Sequence, residues 1–426
     1  MEKRLYPALD EQVYWDRLPS GLTLAIVPRS GFTKKLAYLV TDYGSIHRDF
    51  TLDGKSYQVP AGIAHYLEHK LFDMPGRDIS AEFAALGAIP NAFTSFDMTA
   101  YHFCCTENFR ACLQLLLEFV FTPYFTQESV GKEQGIIGQE IDMNEDSPDT
   151  RIFENLMTAM YQTHPVREPI LGTRETISHI TPELLTCCHR AFYRPDNMLL
   201  CVVGDVDPEE VKALAMAGSP AVSPAVTALR QWPESMACTE GYTDSAMEVA
   251  MPMFQLGFKC EPADKGMDAV RQEIIGDLAA EALFGESSKL YLRLYQEGLI
   301  DSSFGGGFET VENMAMLTAS GDSWEPQAVQ DAILDAAHTL VAEGIPPEDF
   351  LRMKRSALGR RIRSLDSFDS TCFRICSYHF CGFDYFRFPE VYREVEVSQI
   401  QEFIQRVVTR ERMSLSVISP IQEVTQ

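Results

Sequence analysis

The sequence predicts an α+β protein of two similar domains, each an antiparallel sheet covered by helices. Three observations carry this expectation. Short apolar runs bounded by turn residues alternate with helical periodicities along all 426 residues. The run Thr181-Pro182-Glu183-Leu184-Leu185, leading to Arg194 and an apolar stretch at Met198, is echoed by Ser398-Gln399-Ile400-Gln401-Glu402-Phe403, leading to Arg410 and Met413. The offset is about 216 residues, half the chain, as in an internal repeat. From Pro208 to about Gly241, after room for one more helix, the chain is rich in Ala, Pro and Ser and reads as a linker. The expected domains are 1–215 and 242–426, joined by a linker at 216–241.

Taken in order, an amphipathic start leads to a strand at Gly21–Pro28 and a second at Leu36–Tyr43. A buried helix follows around His65, then a short helix at Ser80–Leu86 and a strand at Ala92–Cys105. Glu107–Phe121 is helical, with an apolar stripe at Phe109, Leu113, Leu116, Leu117 and Val120. A glutamate-bearing segment at Lys132–Met143 precedes a helix near Ile152–Tyr161. Pro182 suits a first helical position, and that helix runs to Ala191. Met198–Val206 is a buried strand. The second half offers strands at Phe254–Lys259, Phe304–Glu309, Met314–Ser320 and Arg412–Ser419. Its helices fall at Gln272–Leu283, Lys289–Gln296, Ala328–Glu343, Asp349–Leu365 and Ser398–Val408.

Hydrophobic content of 46% and charged content of 23% are ordinary for a globular chain. The net charge of −25 disfavours nucleic acid and anionic membranes as partners. No run is long and apolar enough for a membrane span. Eleven cysteines, several in apolar runs such as Leu199-Leu200-Cys201-Val202-Val203, fit reduced buried thiols rather than a disulfide framework. Cys372, Cys376 and Cys381 lack the spacing and partners of a zinc knuckle. With no apolar signal core at the start, the expectation is a cytoplasmic protein.

The chemistry is concentrated in His65-Tyr66-Leu67-Glu68-His69. Two histidines at i and i+4 share one helical face and reach one metal ion, with Glu68 on the same side as a base. Two solvated histidines would explain the pattern more simply. The apolar surround of Ile63, Ala64, Leu67, Leu71 and Phe72 argues against that, because burying these polar groups without a partner is costly. A third ligand is needed. Glu133 and Glu140, two helical turns apart, share a face, and spacing alone does not rank them.

On these residues the chain resembles the pitrilysin and mitochondrial processing peptidase family of inverted-motif zinc peptidases, in its short bacterial two-domain branch. The likeness is dense from about Gly21 to Asp207 and weaker beyond. It implies two homologous domains around a closed chamber, with zinc held by His65, His69 and Glu140, Glu68 as catalytic base and Glu133 as supporting acid. The stretch Asn91, Ala92, Phe93 and Thr94 resembles the family's substrate-binding strand beside the metal. In the second domain Arg293 matches a substrate-holding arginine, but the tyrosine expected seven residues on falls on Ile300 or Asp301 and is lost. The nearby Tyr291 and Tyr295 read more simply as helix packing. The implied activity is zinc-dependent endopeptidase or oligopeptidase cleavage of unfolded or short peptides, processing of a peptide precursor included. The alternative is a non-catalytic or partner-dependent subunit that binds peptides. The implied assembly is a homodimer, or a heterodimer with a related metal-free subunit.

Overall fold

The computed structural model describes residues 1–221, 227–229 and 232–421. The chain divides into two compact units. One comprises 1–141, 169–231 and 362–387, the other 142–168, 232–361 and 388–426.

The first unit is built on a seven-stranded sheet. Its order is Glu2–Tyr6, Glu11–Arg17, Thr23–Pro28, Met198–Gly204, Lys35–Thr41, Thr99–Cys105, Ile89–Thr94. Met198–Gly204 pairs parallel with Thr23–Pro28 and antiparallel with Lys35–Thr41, and every other pair in the sheet is antiparallel. Its continuous apolar sequence follows from burial on both faces. Leu200 and Val202 point into a core shared with Ala37, Leu39, Tyr101, Phe103, Ile63 and Leu67. Alternation sends Cys201 to the other face, with its register partner Tyr38, under the helix Phe368–Phe380.

The second unit repeats the plan with five strands. Their order is Tyr242–Met247, Met413–Pro420, Met253–Cys260, Met314–Asp322, Gly305–Val311. Met413–Pro420 again pairs parallel on one side and antiparallel on the other. The helices Pro182–Phe192 and Val397–Val407 precede the two equivalent strands, so the internal repeat is structural.

The compact units are not the linear stretches 1–215 and 242–426. The helix Pro148–Met160 packs on Met413–Pro420 and Met253–Cys260 of the second sheet, while Phe368–Phe380 packs on the first. The single strand expected over Ala92–Cys105 is a hairpin. Ser95 and Asp97 break it: the Ser95 amide donates to Met98 O (2.8 Å), and the Ser95 hydroxyl to Asp97 Oδ1 (2.9 Å). The glutamate segment is one continuous helix, Gln127–Glu145, despite its glycines, because Val130, Ile137 and Ile141 are buried in the core. The helix allowed for before the linker is Pro208–Gly218, which runs into the first positions of 216–241, and within that stretch Thr227–Leu229 pairs with Asp49–Leu52. Its positions 222–226 and 230–231 lie outside the described residues.

Candidate metal centre

The helix Ile63–Leu71 starts at Gly62, whose φ of 89° lies in the left-handed region. A Cβ there would come 2.3 Å from Leu171 O, so the position requires glycine for both conformation and space. The helix is buried on nearly all sides, and Leu67 and Leu71 anchor it in the core. The Tyr66 hydroxyl donates to Val130 O, which ties this helix to Gln127–Glu145.

That tie brings the glutamates to the histidines. His65 Nε2 lies 3.6 Å from Glu140 Oε1, and His69 Nε2 lies 3.5 Å from Glu140 Oε2. One ligand atom from each of the three residues falls within 4.8 Å of the others. Bonds of roughly 2.1 Å in a tetrahedral set separate ligand atoms by about 3.4 Å, so these spacings fit a metal ion such as zinc. Burial, and then the neighbouring His69, pull the His65 pKa down to about 3, which keeps its imidazole neutral as a ligand must be. No other group of three possible ligand side chains gathers in this way among the described residues.

Glu133 meets the other nitrogen of His69, with Oε1 3.1 Å from Nδ1. It is placed to orient a ligand rather than to be one. Burial pushes the His69 pKa down, but the Glu133 hydrogen bond and the charges of Glu68, Glu133 and Glu140 outweigh it, and the net direction is up. Lys70, whose side chain is fully buried, sits 3.9 Å from the far oxygen of Glu133 and bonds to Asp73 Oδ2 and Ser129 O. Glu68 is 8% exposed. Burial raises its pKa, opposed by a hydrogen bond from Thr94 Oγ1 to Oε2 at 2.7 Å and by His69.

The expected substrate strand is the outermost strand of the sheet. Asn91 is exposed, and Ala92 packs on the core side. The Phe93 ring turns the opposite way, 5.9 Å from Phe373 and 6.4 Å from His102. Thr94 faces the metal helix. Arg293 lies in the second unit on Lys289–Glu297, exposed, and lines a cavity of about 460 Å³ together with Leu283, Leu290, Glu343 and Asp349. Ile300 is buried. Tyr291 packs against Phe304 and stacks on Tyr295, a packing role. Sequence reasoning missed Lys70 and the contact between Thr94 and Glu68. Neither has a local signal, since both depend on which way a side chain turns in the folded unit.

A histidine pair on one helical face, a carboxylate closing the ligand set and a second carboxylate beside it define a metal-dependent hydrolase of the inverted H-x-x-E-H class. Residues 55–174 match the insulinase family, peptidase family M16, and residues 179–357 match the peptidase M16 inactive domain. Over 425 residues the chain is 36% identical to the uncharacterized zinc protease YmfH of Bacillus subtilis (strain 168), covering 97% of this chain and 98% of that protein. A crystal structure of an M16-like peptidase from Alicyclobacillus acidocaldarius superposes with a TM-score of 0.93 at 31% identity, over 96% of this chain and 99% of that one. Pitrilysin shares the fold, with a TM-score of 0.79 at 16% identity, over 98% of this chain and 46% of pitrilysin. The chain belongs to the M16 peptidase family.

Proposed function

We propose that this chain is a zinc-dependent peptidase that hydrolyses short or unfolded peptides. The observation that carries the reading is the convergence of His65, His69 and Glu140, with Glu133 behind His69 and Glu68 buried alongside. Zinc held by these three side chains supplies Lewis acidity. Glu68 does the proton work. Thr94 occupies its Oε2, so Oε1 is the atom that takes a proton from the attacking water and returns it to the leaving nitrogen. Burial of Glu68 disfavours its charged form and so favours taking up that proton. The outermost strand Ile89–Thr94 offers an extended peptide an edge to pair with, a mode that reads backbone more than side chains.

The chamber implied by the family resemblance would admit only peptides without a stable fold. A cytoplasmic location and a dimer, with itself or with a metal-free relative, belong to the same proposal. The test is Glu68→Gln, which should abolish cleavage of a fluorogenic peptide while the protein keeps its zinc. Cleavage at the wild-type rate would sink the assignment.

One observation favours a second reading, a subunit active only with a partner. The substrate-holding tyrosine expected after Arg293 is replaced by the buried Ile300 or by Asp301. Such a chain, purified alone, would cut peptides poorly and gain activity when a metal-free relative is added. Strong activity of the isolated protein would count against it.

A further inference from the structure

We infer that Thr94 is a positioning residue for Glu68, fixing the carboxylate that carries the proton, rather than a substrate contact. The inference rests on the peptidase reading and deepens it. Thr94 ends the strand Ile89–Thr94, opposite Thr99. Its neighbour Phe93 turns toward Tyr38, His102 and Phe373, so alternation sends the Thr94 side chain to the face where the metal helix lies. There Oγ1 donates to Glu68 Oε2 at 2.7 Å. Among the described residues this is the hydrogen bond that the Glu68 carboxylate receives.

A threonine hydroxyl has one proton to give, and here it goes to the carboxylate. A buried carboxyl group held at one oxygen cannot rotate freely, so its other oxygen stays aimed at one place. Without that donor the group swings about its terminal bond. Proton transfer is sensitive to such misplacement, which can cost on the order of 10²-fold in rate. Thr94 also lies on the strand offered to substrate. With its proton committed to Glu68, the hydroxyl has none to donate to a peptide carbonyl.

The experiment compares Thr94→Val and Thr94→Ser in the zinc-loaded full-length protein. Valine keeps the shape and removes the donor, while serine keeps the donor. Thr94→Val should lower kcat by roughly 10–100-fold with KM within about twofold, and Thr94→Ser should recover most of the loss. Zinc content should match wild type in both. The affinity of the metal-free protein for an uncleaved peptide, read by fluorescence anisotropy, should also be unchanged. Weaker peptide binding with kcat intact would make Thr94 a substrate contact and overturn the inference. Failure of serine, which keeps the donor, to retain activity would mean that side-chain packing rather than the hydrogen bond sets the rate, and would overturn it equally. If zinc-loaded wild type cleaves nothing, the peptidase reading fails by itself. A crystal structure of Thr94→Val then decides this point, and a Glu68 carboxylate in its original place would overturn the inference.

Discussion

The two sheets share a five-strand order and part company at one helix. In the first unit, the helix after Lys35–Thr41 is the nine-residue Ile63–Leu71, which buries His65, Glu68 and Lys70. In the second, the helix after Met253–Cys260 is the eighteen-residue Met267–Phe284, which has no histidine and buries Val270, Ile274, Leu278 and Leu283. Where Glu68 meets Thr94 on the outer strand of one sheet, Gly276 meets Phe308 on the outer strand of the other. The same topology therefore holds with an apolar contact at this place. The polar set in the first unit is not there for the fold. Buried charges and imidazoles cost stability unless paired, and they gain their compensation from one another and from a metal.

The sharpest way to break this comparison is at the ligands. Glu140→Gln should strip zinc from the dialysed protein, as read by metal analysis. Glu133→Gln should keep most of it, with affinity lower by roughly 10–100-fold, because Glu133 meets His69 at Nδ1 and not at the Nε2 that faces Glu140. Equal zinc content in the two variants would reverse their roles.

The second unit should respond in stability alone. Lys259 is fully buried, with Nζ 3.0 Å from Glu234 Oε1 and 2.8 Å from Ser235 O. Lys259→Met should cost about 3 kcal/mol in urea unfolding, since it takes the cation from a buried carboxylate and leaves it only the hydrogen bonds from residues 162–164, and should leave zinc content unchanged. Loss of zinc in this variant would show that the two units do not keep separate accounts.

Acid should press on the first unit next. Burial pushes the His189 pKa down from 6.5 to about 4, while its Nε2 bonds to Val120 O at 3.0 Å. The unfolded chain therefore takes up this proton first. Stability is whole above pH about 6.5 and falls as pH drops through about 4, by up to about 3 kcal/mol. His189→Gln should flatten its share of that slope in unfolding curves at pH 7, 5.5 and 4.5. An unchanged slope would remove His189 from the account.

The smallest effect tests the apolar counterpart. A Cβ at Gly276 would come 2.2 Å from the Phe308 ring, so Gly276→Ala should cost about 1–3 kcal/mol by overpacking. Zinc binding should not change. A neutral result would mean that Phe308 can move aside.

How much of this was legible in the sequence depends on how local each signal is. His65, Glu68 and His69 are close enough in sequence for helical spacing alone to place them together. Glu133 and Glu140 were found but could not be ranked by spacing. The folded chain separates them by nitrogen, with Glu140 toward Nε2 and Glu133 toward Nδ1 of His69. Lys70 carries no local signal in the sequence, and its burial shows only in the fold, where Asp73, Ser129 and Glu133 surround its ammonium group. The repeat was legible because the helix before each central strand keeps its pattern. The helix Phe368–Phe380 was not, because the sheet face it covers, at Tyr38 and Cys201, lies more than 160 residues earlier in the chain.

That helix has a consequence for how the protein is made. The first sheet begins at Glu2 and has its strands by Gly204, yet one of its faces waits for Phe368–Phe380. A ribosome makes the strands of the metal-bearing unit more than 160 residues before the helix that covers one of their faces. Through the intervening synthesis, the face carrying Tyr38 and Cys201 has no helix to cover it, the kind of apolar surface that draws nascent chains into aggregates or onto chaperones. A gene cut at the linker would freeze that state. Its N-terminal product would carry every zinc ligand and still lack the helix that closes its sheet.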